Sequence, residues 1–280
     1  MSAVTETDLA LASGRVHVRL HDGPGDLVVC VPGLSANAVG FDPLAEALAA
    51  RGRRVAALDL RGRGRSETTG EGTYGWAAHA RDVAEAIERL GAARTDVVGH
   101  SMGAFVAMQL AADAPERAGD LVLIDAAGVP EEGVLQPIGT SLQRLGQTYA
   151  SADAYLDRIR GAGVFEEWGD LWERTYRYEL EPAPEGGVRP ATSVAAVLED
   201  AAYGRDRRAD DLWPRLSGRV LLVRAAVPLG DSGAFVLSAA DAARFAAEVP
   251  GAELVEVPAD HYGVLVHPRT VDAVAGFLAA

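Results

Sequence analysis

The strongest chemical signal in the chain is Gly99-His100-Ser101-Met102-Gly103. It follows an apolar run at 96–99 that reads as a strand, and it opens a run at 102–112 that reads as a helix. In that setting, G-x-S-x-G puts a serine on a sharp strand-to-helix turn and holds its hydroxyl clear of the sheet. A bulky residue two positions to either side would clash, which accounts for Gly99 and Gly103. The helix N-terminus behind the serine adds free N–H groups and a positive dipole. A serine hydroxyl is a weak nucleophile at neutral pH. It needs a base within hydrogen-bond reach, and the base needs an orienting acid.

Six histidines compete to be that base. His100 lies inside the turn, with its ring expected to point away from the hydroxyl. His17 and His21 flank an early strand and turn and are expected at the surface. His79 sits in a helical stretch, exposed or capping, and His267 precedes Pro268 and is expected to help start the last helix. His261 alone lies on a loop after a late strand, in the order Ser…His.

The elements that must position these groups alternate along the chain. Strand-like runs fall at 15–20, 27–31, 54–58, 96–99 and 121–125, with helices at 42–51, 76–90 and 102–112 between them. The pattern resumes with a strand at 219–225, a helix at 239–248, a strand at 253–257 and a closing helix at 271–280. Continuous apolar strands alternating with helices predict an α/β fold: a mostly parallel sheet with helices on both faces. Between 129 and 213 the strand signals fade and aromatics gather. Phe165, Trp168, Trp172 and Tyr176 keep helical spacing. They predict a helix that packs its apolar face on the core, or a lid whose aromatic underside lines a pocket. Pro182, Pro184, Gly186 and Gly187 mark a loop there.

With these motifs the sequence resembles the α/β-hydrolase family over nearly its whole length. Val31-Pro32-Gly33-Leu34 is similar to the family's oxyanion loop after the third strand, although the family commonly has His-Gly where this chain has Pro32-Gly33. Asp59-Leu60-Arg61-Gly62-Arg63-Gly64-Arg65-Ser66 is similar to its loop after the fourth strand, where Asp59 and Arg61 are expected to pair and hold the turns. Asp260-His261-Tyr262 stands where the family places its catalytic histidine. The resemblance implies a core of residues 1–128 and 214–280 with a helical lid at 129–213. It implies oxyanion donors at the backbone N–H of Leu34 and Met102, and a pocket under Trp168, Trp172 and Tyr176. For the acid it offers two places. Asp125, at the end of 121–125, is favoured. Asp231, a few residues late after 219–225, is the alternative. The implied activity is hydrolysis of a carboxylic ester or lactone through an acyl-enzyme on an apolar small molecule. Carbon–carbon bond hydrolases and perhydrolases use the same residue set, and non-catalytic ligand receptors share the scaffold. An Asp at the turn would instead have suggested a dehalogenase or epoxide hydrolase.

Composition bounds the partners. The 280 residues include 26 Lys plus Arg against 40 Asp plus Glu, a formal net charge of −14. Such a surface repels nucleic acid and anionic membranes and leaves a small molecule as the expected partner. No His/Cys/Asp cluster suggests a metal, and neither metal nor organic cofactor is expected. The single cysteine, Cys30, allows no internal disulfide and reads as a core thiol, and with no signal-like start at 1–12 it favours a cytoplasmic home. The preference for Arg, Ala and Gly is read as a GC-rich bacterial coding bias. Oligomeric state is not legible.

Overall fold

The computed structural model describes residues 4–163, 165 and 168–279. Residues 1–3 of the acidic start, residues 164, 166 and 167 of the middle segment, and Ala280 of the expected closing helix lie outside the described residues.

The chain opens with an antiparallel pair, β1 (Val4–Leu11) and β2 (Gly14–His21). There follow β3 (Leu27–Val31), α1 (Asp42–Ala50), β4 (Arg54–Leu58), α2 (Trp76–Arg89), β5 (Thr95–His100), α3 (Met102–Asp113) and β6 (Ala118–Ile124). A long segment then carries α4 (Leu135–Leu142), α5 (Ala152–Arg160) and α6 (Asp170–Tyr178). It continues through a small hairpin of β7 (Leu180–Pro182) and β8 (Val188–Pro190), then α7 (Val194–Arg205). The chain returns to the sheet with β9 (Val220–Ala225), α8 (Ala239–Glu248), β10 (Ala252–Val257), the short α9 (Gly263–Val266) and α10 (Pro268–Ala279).

The main sheet has eight strands in the order β1-β2-β4-β3-β5-β6-β9-β10, parallel from β4 onward. Alternate residues of each inner strand feed two cores. Val29, Val31, Val97, Leu121, Leu123 and Leu222 face α2, α3 and α8. Val28, Cys30, Val98, Val122, Ile124 and Val223 face α1, α9 and α10. Burial on both faces explains why these strands read as unbroken apolar runs. The α/β expectation therefore holds, including helices on both sides.

β1 went unforeseen because Thr5-Glu6-Thr7-Asp8 carries no apolar run. An edge strand needs only a paired backbone and one packed face. Its acids are cross-strand partners, Glu6 opposite Arg19 and Asp8 near Arg15. His17 and His21 are corrected from surface to buried, and His79 likewise, its Nε2 lying 2.9 Å from Asp200. His267 does meet the start of α10, where its Nδ1 accepts the N–H of Arg269. The Pro- and Gly-marked loop proves to be the tip of the β7–β8 hairpin.

From β3 the chain moves outward to β4, then returns to the other side of β3 as β5. The crevice at such a reversal, at the carboxyl ends of the strands, is where open α/β sheets bind ligands. Pro32-Gly33-Leu34 leaves β3 at that point and Ser101 leaves β5.

Candidate active site

Ser101 sits between β5 and α3 at φ 55°, ψ −124°, a region few side-chain-bearing residues enter. The turn is held tightly. Ser101 N–H donates to Ile124 O at 3.0 Å, and Ser101 O accepts from Ala104 N–H at 2.9 Å. A side chain at Gly103 would overlap the carbonyl of Val31, and one at Gly99 would overlap that of Gly103. Both glycines are therefore demanded by close approach of backbone, as the spacing predicted.

His261 follows β10, and Asp125 follows β6. The structure brings them together with the serine. His261 Nε2 lies 3.0 Å from Ser101 Oγ, and His261 Nδ1 lies 2.8 Å from Asp125 Oδ2. The other carboxylate oxygen, Asp125 Oδ1, accepts the N–H of Ala225 at 2.9 Å. Burial pushes the Asp125 carboxyl above its ordinary pKa, while the hydrogen bond to His261 pulls the other way. Among the described residues, Asp125 is the other non-glycine residue at positive φ, 52°. Asp231 lies exposed in a 3-10 turn, Gly230–Ser232, and His261 Nδ1 has Asp125 as its partner instead.

His100 has a task that sequence reasoning missed. Its Nε2 donates to the carbonyl of His261 at 2.9 Å, so its ring holds the backbone of the His261 loop. Burial, followed by the nearby His261, lowers its pKa to about 3, and the ring stays neutral with its proton on Nε2.

The segment after β3, where oxyanion donors were expected, is a four-residue turn closed by Ala36 N–H donating to Gly33 O at 3.2 Å. Among the described residues, Leu34 N–H donates to no protein acceptor. Met102 is the first residue of α3, a position whose N–H the helix leaves unpaired. A Cβ built on Gly33 would stand 3.1 Å from Ser101 Cβ, so this turn runs directly against the serine. Asp59 and Arg61 do not pair. Asp59 accepts the N–H of Ala38 and of Arg65 and the hydroxyl of Tyr178, whereas Arg61 pairs with Asp82. Cys30 is fully buried, and burial pushes its thiol pKa up.

Above the serine lies a cavity of about 120 Å³ lined by Ser101, His261, Leu34, Trp172, Tyr176 and Tyr262, among others. Trp168 is a correction. It lies one layer out, stacked on Tyr176 with ring centroids 5.8 Å apart, in a separate groove with Phe165. The helix begins only at Asp170, after Gly169, so Phe165 and Trp168 precede it and do not share its inner face. Arg144, between α4 and α5, reaches the cavity wall. Its Nε donates to Glu179 Oε1 at 2.8 Å, its Nη2 to Glu179 Oε2 at 3.2 Å and to Ser35 O at 3.0 Å, and its Nη1 to Ser141 O at 2.8 Å. Burial opposes the guanidinium charge, but Glu179 overrides it and raises the Arg144 pKa above its ordinary value. No motif announced this pair, because an isolated Arg and Glu 35 positions apart carry no sequence signal.

A sequence model of the alpha/beta hydrolase fold matches residues 26–268. The chain belongs to the α/β-hydrolase fold family. Within that family, the provisionally named carbamate hydrolase RutD of Variovorax paradoxus is 38% identical over 117 residues, which is 41% of this chain and 44% of the relative. The 2-(acetamidomethylene)succinate hydrolase of Mesorhizobium japonicum is 29% identical over 276 residues, 95% of this α/β-hydrolase and 93% of the relative. A crystal structure of E-2-(acetamidomethylene)succinate hydrolase superposes with a TM-score of 0.85 at 26% identity, covering 99% of this chain and all of that one. Both relatives carry the name of hydrolase, and this member of the family is a hydrolase too.

Proposed function

We propose that the protein hydrolyses a small, uncharged carboxylic ester or lactone through an acyl-enzyme on Ser101. The observation that carries this reading is the Ser101–His261–Asp125 hydrogen-bond chain opening on a mainly apolar cavity. His261 takes the proton of Ser101 Oγ as the oxygen attacks the substrate carbonyl, and returns it to the leaving oxygen. Asp125 keeps the Nδ1–H tautomer and stabilises the imidazolium. Leu34 N–H and Met102 N–H receive the oxyanion, and water then repeats the sequence to free the acid. Residues 129–213 act as the lid, with Trp172 and Tyr176 as its inner wall. The names of the relatives favour a second reading, an acyl carbon bonded to nitrogen as in a carbamate or amide. The same residues serve it, with His261 protonating the departing nitrogen.

Size and charge narrow the substrate. An apolar cavity of about 150 Å³ takes a benzene ring. A cavity of about 120 Å³ therefore fits a short acyl group. Among the described residues that line it, Arg144 is the one Arg or Lys, and Glu179 already neutralises it. A substrate carboxylate would be buried without a counter-charge, at a cost of about 3–5 kcal/mol. This parts the chain from a relative whose named substrate is a succinate. In a nitrophenyl ester series, acetyl and butanoyl esters should therefore exceed the hemisuccinyl ester by at least about a hundredfold in kcat/KM. Equal turnover of the hemisuccinate overturns the neutral-pocket reading. Nitrophenyl acetate compared with the matching anilide and carbamate separates the two bond types.

Trp172 provides a local check. It is half-buried and borders both the cavity and the outer groove. Trp172→Ala should raise KM for short esters and shift preference toward longer acyl chains, with little loss of melting temperature. A steep drop in melting temperature with unchanged kinetics on the folded fraction would assign Trp172 to packing alone.

A further inference from the structure

Two buried arginines meet the oxyanion turn from opposite sides. Arg63 Nε donates to Leu34 O at 2.9 Å, and Arg144 Nη2 donates to Ser35 O at 3.0 Å. These are the two central carbonyls of the turn, and the first carbonyl, Gly33 O, already accepts from Ala36 N–H. All three acceptors around Leu34 are thus fixed. In a trans peptide the N–H points opposite the carbonyl, so Gly33 O and Leu34 N–H turn together; Arg144 on Ser35 O sets the direction of the Ala36 N–H that Gly33 O accepts, and Arg63 on Leu34 O fixes the peptide between them. Each arginine is in turn held by an acid from the 129–213 segment. Arg63 Nη2 donates to Asp200 Oδ2 on α7, and Arg144 forks onto Glu179 after α6. Arg63 also donates to Arg61 O and is 1% exposed, so it has no freedom to reorient.

We propose that Arg63 and Arg144 are positioning residues that aim the Leu34 N–H at the oxyanion, with Asp200 and Glu179 transmitting the placement of the 129–213 segment to that donor. This rests on the reading of Leu34 as an oxyanion donor. No substitution other than proline removes a backbone donor, so the direction of such a donor is set through the acceptors around it. Arg63 is the cleaner case, because it is absent from the residues lining the cavity and can act on substrate only through the turn. A guanidinium is suited to the task. Its planar fork satisfies a carbonyl and a carboxylate at once, whereas an ammonium is a point charge.

The test is Arg63→Lys, read with nitrophenyl acetate and with a short alkylboronic acid. The boron accepts Ser101 Oγ, whose proton passes to His261, and one oxygen of the resulting tetrahedral anion occupies the oxyanion position. Removing an oxyanion donor outright costs about 10²–10³ in kcat, so loosening one should cost about 10- to 100-fold. We expect kcat to fall by that factor with KM within about threefold, and boronate affinity to fall in parallel. Because the shorter ammonium side chain of that variant could leave Asp200 unbalanced and the fold weakened, the charge-neutral double variant Arg144→Met/Glu179→Gln serves as the second arm, with the same fall in kcat and boronate affinity expected and KM free to change, since both residues line the cavity. A folded variant of either kind that keeps kcat and boronate affinity within about twofold overturns the proposal. For Arg63→Lys, so does a rise in KM alone. Ser101→Ala run alongside separates the two levels: if it retains turnover, the acyl-enzyme reading itself fails.

Discussion

Ser101→Ala should lower kcat on a short nitrophenyl ester by about 10⁶-fold, to whatever rate the oxyanion donors and binding supply without a nucleophile. The serine occupies a strained turn that no role other than presenting its hydroxyl requires, and His261 Nε2 already stands 3.0 Å from Oγ. The substitution removes one oxygen at a half-buried position, so the melting temperature should hardly move. A fluorophosphonate probe gives an independent reading. It should label the wild type once, at Ser101, and leave the variant unlabelled. An adduct on another residue, or full activity without labelling, would remove Ser101 from the chemistry.

The second large effect concerns the acid. Asp125→Asn should lower kcat by about 10⁴-fold, because an amide facing His261 Nδ1 can favour the wrong tautomer and cannot balance the imidazolium. Asp125 Oδ2 lies 2.8 Å from Nδ1, and Oδ1 is anchored on Ala225 N–H, so the carboxylate has little room to move. Asp231→Asn should stay within about tenfold, since that residue is exposed in its turn. Circular dichroism on both variants confirms the fold. If Asp231→Asn is the more damaging, the acid has been misplaced. If neither costs a hundredfold, some other group orients His261.

What the sequence disclosed and what it hid divide along physical lines. The elbow at Ser101 was legible because close approach of three backbones demands glycine at 99 and 103, and such demands leave a pattern in a single short stretch. The parallel strands were legible because burial on both faces makes them uniformly apolar. The position of Asp125 was weighed against Asp231 on sequence placement, and only the geometry puts one of them beside Nδ1. The Arg144–Glu179 and Arg63–Asp200 pairs were invisible, since charged residues far apart in sequence look like ordinary surface. His79 and His21 were misjudged for the same reason: a lone histidine carries no mark of its burial. Trp168 was grouped with Trp172 and Tyr176 by helical spacing, yet the helix starts only after Gly169.

Among the described residues, the two non-glycine residues at positive φ, Ser101 and Asp125, are also the two that flank His261 in the hydrogen-bond chain. Such sparsely populated backbone costs a side-chain-bearing residue about 1–3 kcal/mol, and glycine would relieve it at either position. Backbone strain alone would thus favour glycine at both positions, opposed at 125 by the hydrogen bonds that the carboxylate makes to Ala225 N–H and His261. The same logic gives an engineer a warning. A search for thermostable variants that scores melting temperature without turnover will be drawn first to position 101, and on the proposed mechanism it will return a protein that is sturdier and inert.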